Sequence, residues 1–421
     1  MAAPMSTTTP TLDEWRAEVR TWLASVLPPF DAAERRWGEG DADFSVFRDV
    51  SDAEESEILD AIRAYRRQRY DAGYGAITVP VEKGGRGLSP LYSIAFSQEE
   101  ARFAVPPSTE LISVTTGLVG PSLAMFGTDE QRAAYAYPFL RTDSLCCQLF
   151  SEPAAGSDLA ALATRAERDG DGWRLNGQKI WSSGARHADY GMVLVRTNRD
   201  VAKQAGITAL LVPMNAPGLT IRPIRQMSGP ASFNEVFLTD VLVPDSMRIG
   251  DIDDGWRIAN VTLGLERQSS GTKSRRKGGT FGEVLELARA LGRTGDPVLR
   301  QRLADLYIRS TLQVVTTERV ARATAAGHDP GPAGALGKLT ASEILTLTGA
   351  VAEDVLGARI AADTGEWGTF AWTQHLLGAP GYRLAGGTDE VQHNIIGERV
   401  LGLPREPSVD KGIPFSELSR G

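Results

Sequence analysis

The order of hydrophobic periods along the 421-residue chain predicts an α+β protein of several domains, with helices first, strands next and helices again. Three observations carry this. Apolar residues recur at helical spacing up to about residue 145, short strand-like runs broken by Gly and Pro follow to about residue 250, and the helical period returns after Gly255. A chain this long also exceeds what one hydrophobic core usually serves, so two or three domains are expected.

Taken in order, residues 1–10 read as a mobile tail and 11–145 as an N-terminal helical domain. Thr11 and Glu14 form a capping-box pattern, and Trp15, Val19, Trp22, Leu23 and Val26 follow at helical spacing until Pro28-Pro29. Further helices are expected over Ala53–Ala72, Leu91–Phe103 and Leu111–Phe126, and another opens at Thr128 with Asp129 and Glu130 in its first turn. The middle β domain, 146–250, holds strand runs at Thr164–Arg168, Trp173–Leu175, Gln178–Ser182, Tyr190–Arg196, Ile207–Val212, Leu219–Ile224 and Phe233–Val243. Asn176-Gly177 within it predicts a two-residue hairpin turn. A C-terminal helical bundle, 251–407, is read from Trp256–Arg267, Glu283–Leu291, Pro297–Ala326, Ala335–Ala361 and Glu390–Leu401, and 408–421 is a tail.

Composition removes several function classes. A net charge of −8 argues against nucleic acid or an anionic membrane as the main partner. No stretch reaches the roughly 18 apolar residues of a membrane span, and the start lacks the basic and apolar runs of a secretory signal, so the cytoplasm is the expected location. Cys146 and Cys147 are adjacent, which suits neither a disulfide framework nor a metal-ligand pair, and the four histidines have no paired spacing; no metal is expected. A phosphate-binding loop, a nucleophile elbow and a Gly-x-Gly-x-x-Gly unit between strand and helix are all missing.

Four blocks carry a resemblance. Ser151-Glu-Pro-Ala-Ala-Gly-Ser-Asp158, Asn176-Gly-Gln-Lys-Ile-Trp-Ser-Ser-Gly184, Phe233-Asn-Glu-Val-Phe-Leu-Thr-Asp-Val-Leu-Val-Pro244 and Gly386-Gly-Thr-Asp-Glu-Val-Gln-His-Asn-Ile-Ile-Gly-Glu-Arg399 resemble the signature blocks of the acyl-CoA dehydrogenase family, in order and spacing from about Leu12 to Pro407. The resemblance implies a helical domain, a β domain and a helical bundle, FAD as cofactor, and an acyl-CoA thioester as substrate. In that family a carboxylate takes the α proton while the β hydrogen leaves as hydride to the flavin, and an electron-transfer flavoprotein reoxidises it.

Carried over by position, Phe150 and Ser151 meet the flavin ring, Trp181 packs against it and Ser183 hydrogen-bonds its edge. Ser157 serves the pyrophosphate side and the substrate's phosphopantetheine, while Thr388 and Glu390 sit at a helix start facing FAD phosphate and ribose. Glu390 stands where Gln is often found. The family's usual base position is Gly386, which offers only a backbone N–H to the thioester carbonyl.

Glu266 is the alternative base. Leu263-Gly-Leu-Glu-Arg267 resembles the subset of the family whose catalytic Glu lies on the first long helix after the β domain, with Arg267 ordering the site and touching substrate. Ile258, Thr262 and Glu266 share one helical stripe, so the carboxylate projects from a partly apolar face. A helical Glu is more often solvated and paired with Arg; Gly386 is what moves the assignment to Glu266.

The blocks through which homo-oligomeric members reach a neighbour's FAD are eroded: Gly278 stands where Arg precedes Phe281-Gly282, and Glu353-Asp-Val-Leu-Gly357 is a reduced remnant, with Arg275, Arg276 and Lys277 as substitute phosphate contacts. This pattern resembles heteromeric members, including those of sterol side-chain degradation. The expected partners are therefore further copies or a second acyl-CoA dehydrogenase-like subunit. Two other readings remain open at this point: a non-catalytic partner subunit, and another flavin oxidation on the same fold, such as an oxidase, a monooxygenase or oxidation of a carrier-bound acyl group.

Overall fold

Helix α1 (Leu12–Val26) starts where its capping box predicts, with Thr11 and Glu14 exchanging side-chain and backbone hydrogen bonds. Its inward stripe of Trp15, Val19 and Leu23 is fully buried against Tyr74 and Phe96, with the Trp15 and Tyr74 rings edge-on at 5.4 Å. The computed structural model describes residues 9–30, 43–48, 50–270, 278–326, 328, 332–407 and 410–418, without the side chains of 266–270, 324, 325 and 333. The N-terminal layer continues through α2 (Asp52–Asp71), α3 (Pro90–Glu100), α4 (Glu110–Val114), α5 (Gly120–Phe126), α6 (Asp129–Gln131) and α7 (Tyr137–Arg141). Wider π turns join α4 to α5 and α6 to α7.

The middle strands are β1 (Cys146–Leu149), β2 (Arg165–Asp169), β3 (Gly172–Ser183), β4 (Tyr190–Arg196), β5 (Ile207–Pro213), β6 (Leu219–Ile224), β7 (Phe233–Pro244) and β8 (Arg248–Ile249). They form one sheet in the order β6-β7-β3-β2-β4-β5-β8, with β1 parallel to β4. Strands β4 and β5 are apolar on both faces because both faces are covered. Val193, Val195, Leu210 and Val212 pack toward α2, while Met192, Leu194, Ala209 and Leu211 pack toward α5, α7 and α8 (Gly255–Ser270).

The hairpin expected at Asn176-Gly177 does not form. β3 runs straight through, and the tight turn lies at Gly170-Asp171, between β2 and β3. Pairing with β7 overrides the local signal: the Asn176 amide donates to the Asp240 carboxylate at 3.0 Å and accepts from the Asp240 N–H at 3.0 Å. Gly177 is required by close approach, since a Cβ there would stand 2.3 Å from Thr164 Oγ1.

Beyond α8 the bundle comprises α9 (Phe281–Ala290), α10 (Pro297–Ala325), α11 (Ala333–Leu356), α12 (Ala371–Leu384) and α13 (Asp389–Ile395). The run expected over Ala335–Ala361 breaks at Gly357, whose φ of 56° ends α11 and leaves a short 3-10 turn. Helix α12 was not legible in the periodicity, because Gly378, Pro380 and Gly381 interrupt it. Two of these are close-approach positions, where a Cβ would meet Val46 and Phe47 at 2.9 Å. The segment 43–48 thus wedges the N-terminal layer into the bundle, with Phe44 stacked on Trp372 at 4.5 Å.

The C-terminal residues 410–418 return to the β domain. Phe415 is buried beneath the Arg196 guanidinium at 4.0 Å, and Lys203 binds Asp410 and Asp158 together. Phe415→Ala is expected to undock this segment. Loss of a buried Phe costs about 3 kcal/mol, enough to raise the open population more than about a hundredfold. Limited proteolysis within 410–418 checks it.

Candidate flavin and acyl site

The two signature segments of the β domain meet through backbone. Ile180 N–H donates to Ser151 O at 2.9 Å, and Lys179 Nζ reaches Phe150 O at 3.1 Å. Strict alternation along β3 puts Trp173, Leu175 and Lys179 inside and would put Trp181 inside as well. A bulge between Lys179 and Ser182 reverses this. Trp181 takes φ 63° and turns outward, 56% exposed, with Phe233 edge-on at 6.1 Å. A left-handed non-glycine residue costs on the order of 1–3 kcal/mol, a strain characteristic of ligand sites.

Behind the bulge lies a buried ion pair that the sequence reading did not single out. Lys179 is fully buried with Nζ 2.8 Å from Glu152 Oε1, and the Glu152 carboxylate also accepts the N–H groups of Ala163 at 2.7 Å and Thr164 at 2.9 Å. Desolvation works to raise the Glu152 carboxyl but is outweighed by Lys179 and these donors, so it lies below the ordinary range. Desolvation dominates at the ammonium, which has fewer partners, and holds it below its ordinary value. The parity of Lys179 along β3 was the available signal.

Ser183 stands two residues beyond Trp181 on β3 and Ser151 is joined to the preceding Ile180 through backbone; both are half-buried, and their hydroxyls make no hydrogen bond among the described residues. Phe150 is buried behind them and Ser157 is exposed. A Cβ on Gly156 would meet nothing within 4 Å, so the turn before Ser157 opens to space. An exposed, strained aromatic face with free hydroxyls beside it and an open polar turn fits a planar ring with hydrogen-bonding edges and a phosphate tail, as in FAD.

The C-terminal block is built on Gly386 and Gly387, with φ 67° and 91°, before α13. Thr388 caps that helix, accepting Val391 N–H, and Gln392 Nε2 donates to Gly386 O at 2.9 Å. Buried Asp389 anchors the start of α13 by accepting from Arg383 at 2.6 Å, Ser342 at 3.0 Å and Lys338 at 3.4 Å. Glu390 is exposed, and its own N–H and the Thr388 hydroxyl hold its carboxyl below the usual range. This block reaches the Trp181 face through rings: Tyr382 stacks on Phe47 at 5.3 Å, Phe47 meets Phe233 at 5.5 Å, and Phe233 meets Trp181. Phe47 and Tyr382 carried no signal in the sequence.

A cavity of about 2060 Å³ separates the N-terminal layer from the bundle. Gly184 and Ser232 border it beside the bulge, and Gly264 and Leu265 of α8 line it. The side chains of Glu266 and Arg267, like residues Arg275, Arg276 and Lys277, lie outside the described residues. What is described of their helix is its inward stripe: Ile258 and Thr262 are fully buried, with Thr262 Oγ1 2.8 Å from Ser122 Oγ. Among the described residues no group of three His, Cys, Asp or Glu could hold a metal, and no helix is long and apolar enough to cross a membrane.

Comparison with known proteins agrees from residue 9 to residue 401. Residues 9–143 match the acyl-CoA dehydrogenase N-terminal domain, 147–241 the middle domain and 253–401 the C-terminal domain. Acyl-CoA dehydrogenase IpdE1 of Mycobacterium tuberculosis is 36% identical over 413 residues, covering 94% of this chain and 98% of the relative. Acyl-CoA dehydrogenase FadE34 of the same organism is 38% identical over 323 residues, 76% of this chain and 44% of FadE34. The Tcur3481-Tcur3483 steroid ACAD structure superposes with a TM-score of 0.73 at 27% identity, covering 96% of this chain and 100% of that one. The ChsE4-ChsE5 complex from Mycobacterium tuberculosis does so with 0.71 at 27%, covering 96% and 100%. Joined to the fold, these matches show that the chain belongs to the acyl-CoA dehydrogenase family and is an FAD-dependent enzyme.

Proposed function

We propose that this enzyme oxidises the Cα–Cβ bond of a bulky, steroid-derived acyl-CoA, with Glu266 taking the α proton, in an assembly with a second acyl-CoA dehydrogenase-like subunit. Bound FAD supplies the hydride acceptor, and an electron-transfer flavoprotein takes the electrons onward. The observation that carries the base assignment is Gly386, a left-handed glycine with no side chain to accept a proton, which requires a carboxylate from another element. The cavity position of Gly264 and Leu265 supports α8 as that element.

Phe150, Ser151, Trp181 and Ser183 would hold the flavin ring, Ser157, Thr388 and Glu390 its phosphate and ribose, and Gly386 N–H the thioester carbonyl. Arg267 would order the site. The assembly reading is supported by exposed Tyr307, Ile308, Leu312, Val314 and Val315 on α10, an apolar face that a neighbouring subunit would cover. The steroid ACAD and the two-protein complex among the similar structures support both the substrate class and the pairing.

The test is to express the chain alone and with candidate partner subunits, record the visible spectrum, and add acyl-CoAs without oxygen. Yellow protein that bleaches with a steroid side-chain thioester is expected from the co-expressed complex. Protein that never bleaches with any acyl-CoA would mark the chain as a non-catalytic subunit, and rapid dioxygen consumption would point to an oxidase.

A further inference from the structure

One wall of the cavity is a single stripe of α2: Glu55, Ile58, Ile62, Arg66 and Arg69, spaced by three or four residues. Its near end is tied to the flavin side. Glu55 binds Arg186 and His187, in the 3-10 turn Ala185–His187 just beyond the Ser183 end of β3. Its far end lies eleven residues on, about 16 Å along the helix at 1.5 Å per residue. Between them the wall is apolar.

The far end holds more positive charge than its own residues neutralise. Glu100 is already bound by Arg69 Nη1 at 3.2 Å and by the Tyr65 hydroxyl, while Arg69 Nε donates to Tyr74 O at 3.0 Å and its guanidinium lies 4.1 Å over Phe96. The neighbouring Arg63 and Arg67 turn to Thr142 and Asp143. Arg66 has no hydrogen bond or ion pair among the described residues, and its Nε is a buried donor without a partner. Burial pushes its guanidinium down to about 10, so it remains charged at neutral pH. A guanidinium whose Nε is buried without a hydrogen-bond partner is costly, and a planar anion that takes its N–H fork from the cavity relieves that cost.

We infer that Arg66 is a specificity-determining residue of the acyl cavity, binding a carboxylate, or an equivalent anionic group, at the distal end of the substrate's acyl moiety. The order along the wall matches such a substrate: thioester beside β3, apolar body against Ile58 and Ile62, anion at Arg66. This rests on the acyl-CoA reading above and adds a chemical group to it.

The test uses the flavin-loaded enzyme with any partner subunit it needs, straight-chain dicarboxylic acids carrying CoA on one end, and their methyl-ended counterparts across a range of lengths. At the length that reaches Arg66, the carboxyl-ended thioester is expected to be favoured in kcat/KM by on the order of tenfold to a hundredfold, the worth of a charged hydrogen bond. Arg66→Met should abolish that preference through KM, with kcat, flavin content and methyl-ended turnover retained, and Arg66→Lys should keep part of it. Calorimetric binding of the same pairs decides the assignment even if no thioester bleaches the flavin, a result that would sink the dehydrogenation reading separately. Equal preference at every length in the parent, or a preference unchanged in Arg66→Met, overturns the proposal.

Discussion

Glu266→Gln is expected to lower the rate of anaerobic flavin bleaching by about 10²–10⁴-fold, the usual worth of a positioned general base, while the visible spectrum and FAD content stay at parental levels. Gln keeps the size and hydrogen-bonding reach of the side chain and removes only its ability to take a proton. On the proposed mechanism oxidation begins at an α carbon, whose proton a carboxylate would take, and Gly386 has none to give. The companion variant Gly386→Glu restores a carboxylate at the family's usual place. Its backbone is left-handed, so a poorly folded Gly386→Glu protein would report that strain and leave the Glu266→Gln result to stand alone. Single-turnover bleaching at parental rate in Glu266→Gln would remove Glu266 from the mechanism.

The largest stability effect is expected at Lys179. Lys179→Met leaves the Glu152 carboxylate buried with two amide donors and no counter-charge, which costs about 3–5 kcal/mol. Adding Glu152→Gln removes the stranded charge and keeps an oxygen for one of the two N–H groups, Ala163 or Thr164, which now donate to different carboxylate oxygens, so the double variant should recover part of the loss. The pair also predicts an acid limb. Because the Glu152 carboxyl is held below its ordinary value, its contribution is complete above the unfolded carboxylate range and fades as pH falls below it. Unfolding midpoints of parent, single and double variants across pH 3–7 would test both statements; a double variant no better than the single one would show that packing, and not charge, dominates the site.

This pair lies directly behind the Trp181 bulge, so its loss should also loosen the turn that carries Trp181 outward. Local patterns with one dominant cause were legible: the Thr11 capping box, the helix start at Thr128, the change of period near Cys146, and the signature blocks in order. Patterns with competing causes were not. Asn176-Gly177 has the chemistry of a tight turn, yet Asp240 on the neighbouring strand recruits the Asn176 amide and holds the strand straight. Helix α12 carries Gly and Pro where periodicity expects apolar side chains, because Phe47 and Val46 occupy that space from the other end of the chain.

By itself the sequence determined the order of layers, the family, the cofactor and the vacancy of side chain at Gly386, since each rests on residue identity or on contacts within a few positions. Only the tertiary structure decided which way Trp181 faces, because a one-residue bulge reverses every alternation downstream of it. The same holds for the junction of the Trp181 and Gly386 segments across Tyr382, Phe47 and Phe233, and for the unpaired charge of Arg66. These depend on which distant residues supply a partner and which do not, and that pairing arises only when segments far apart in the chain pack together.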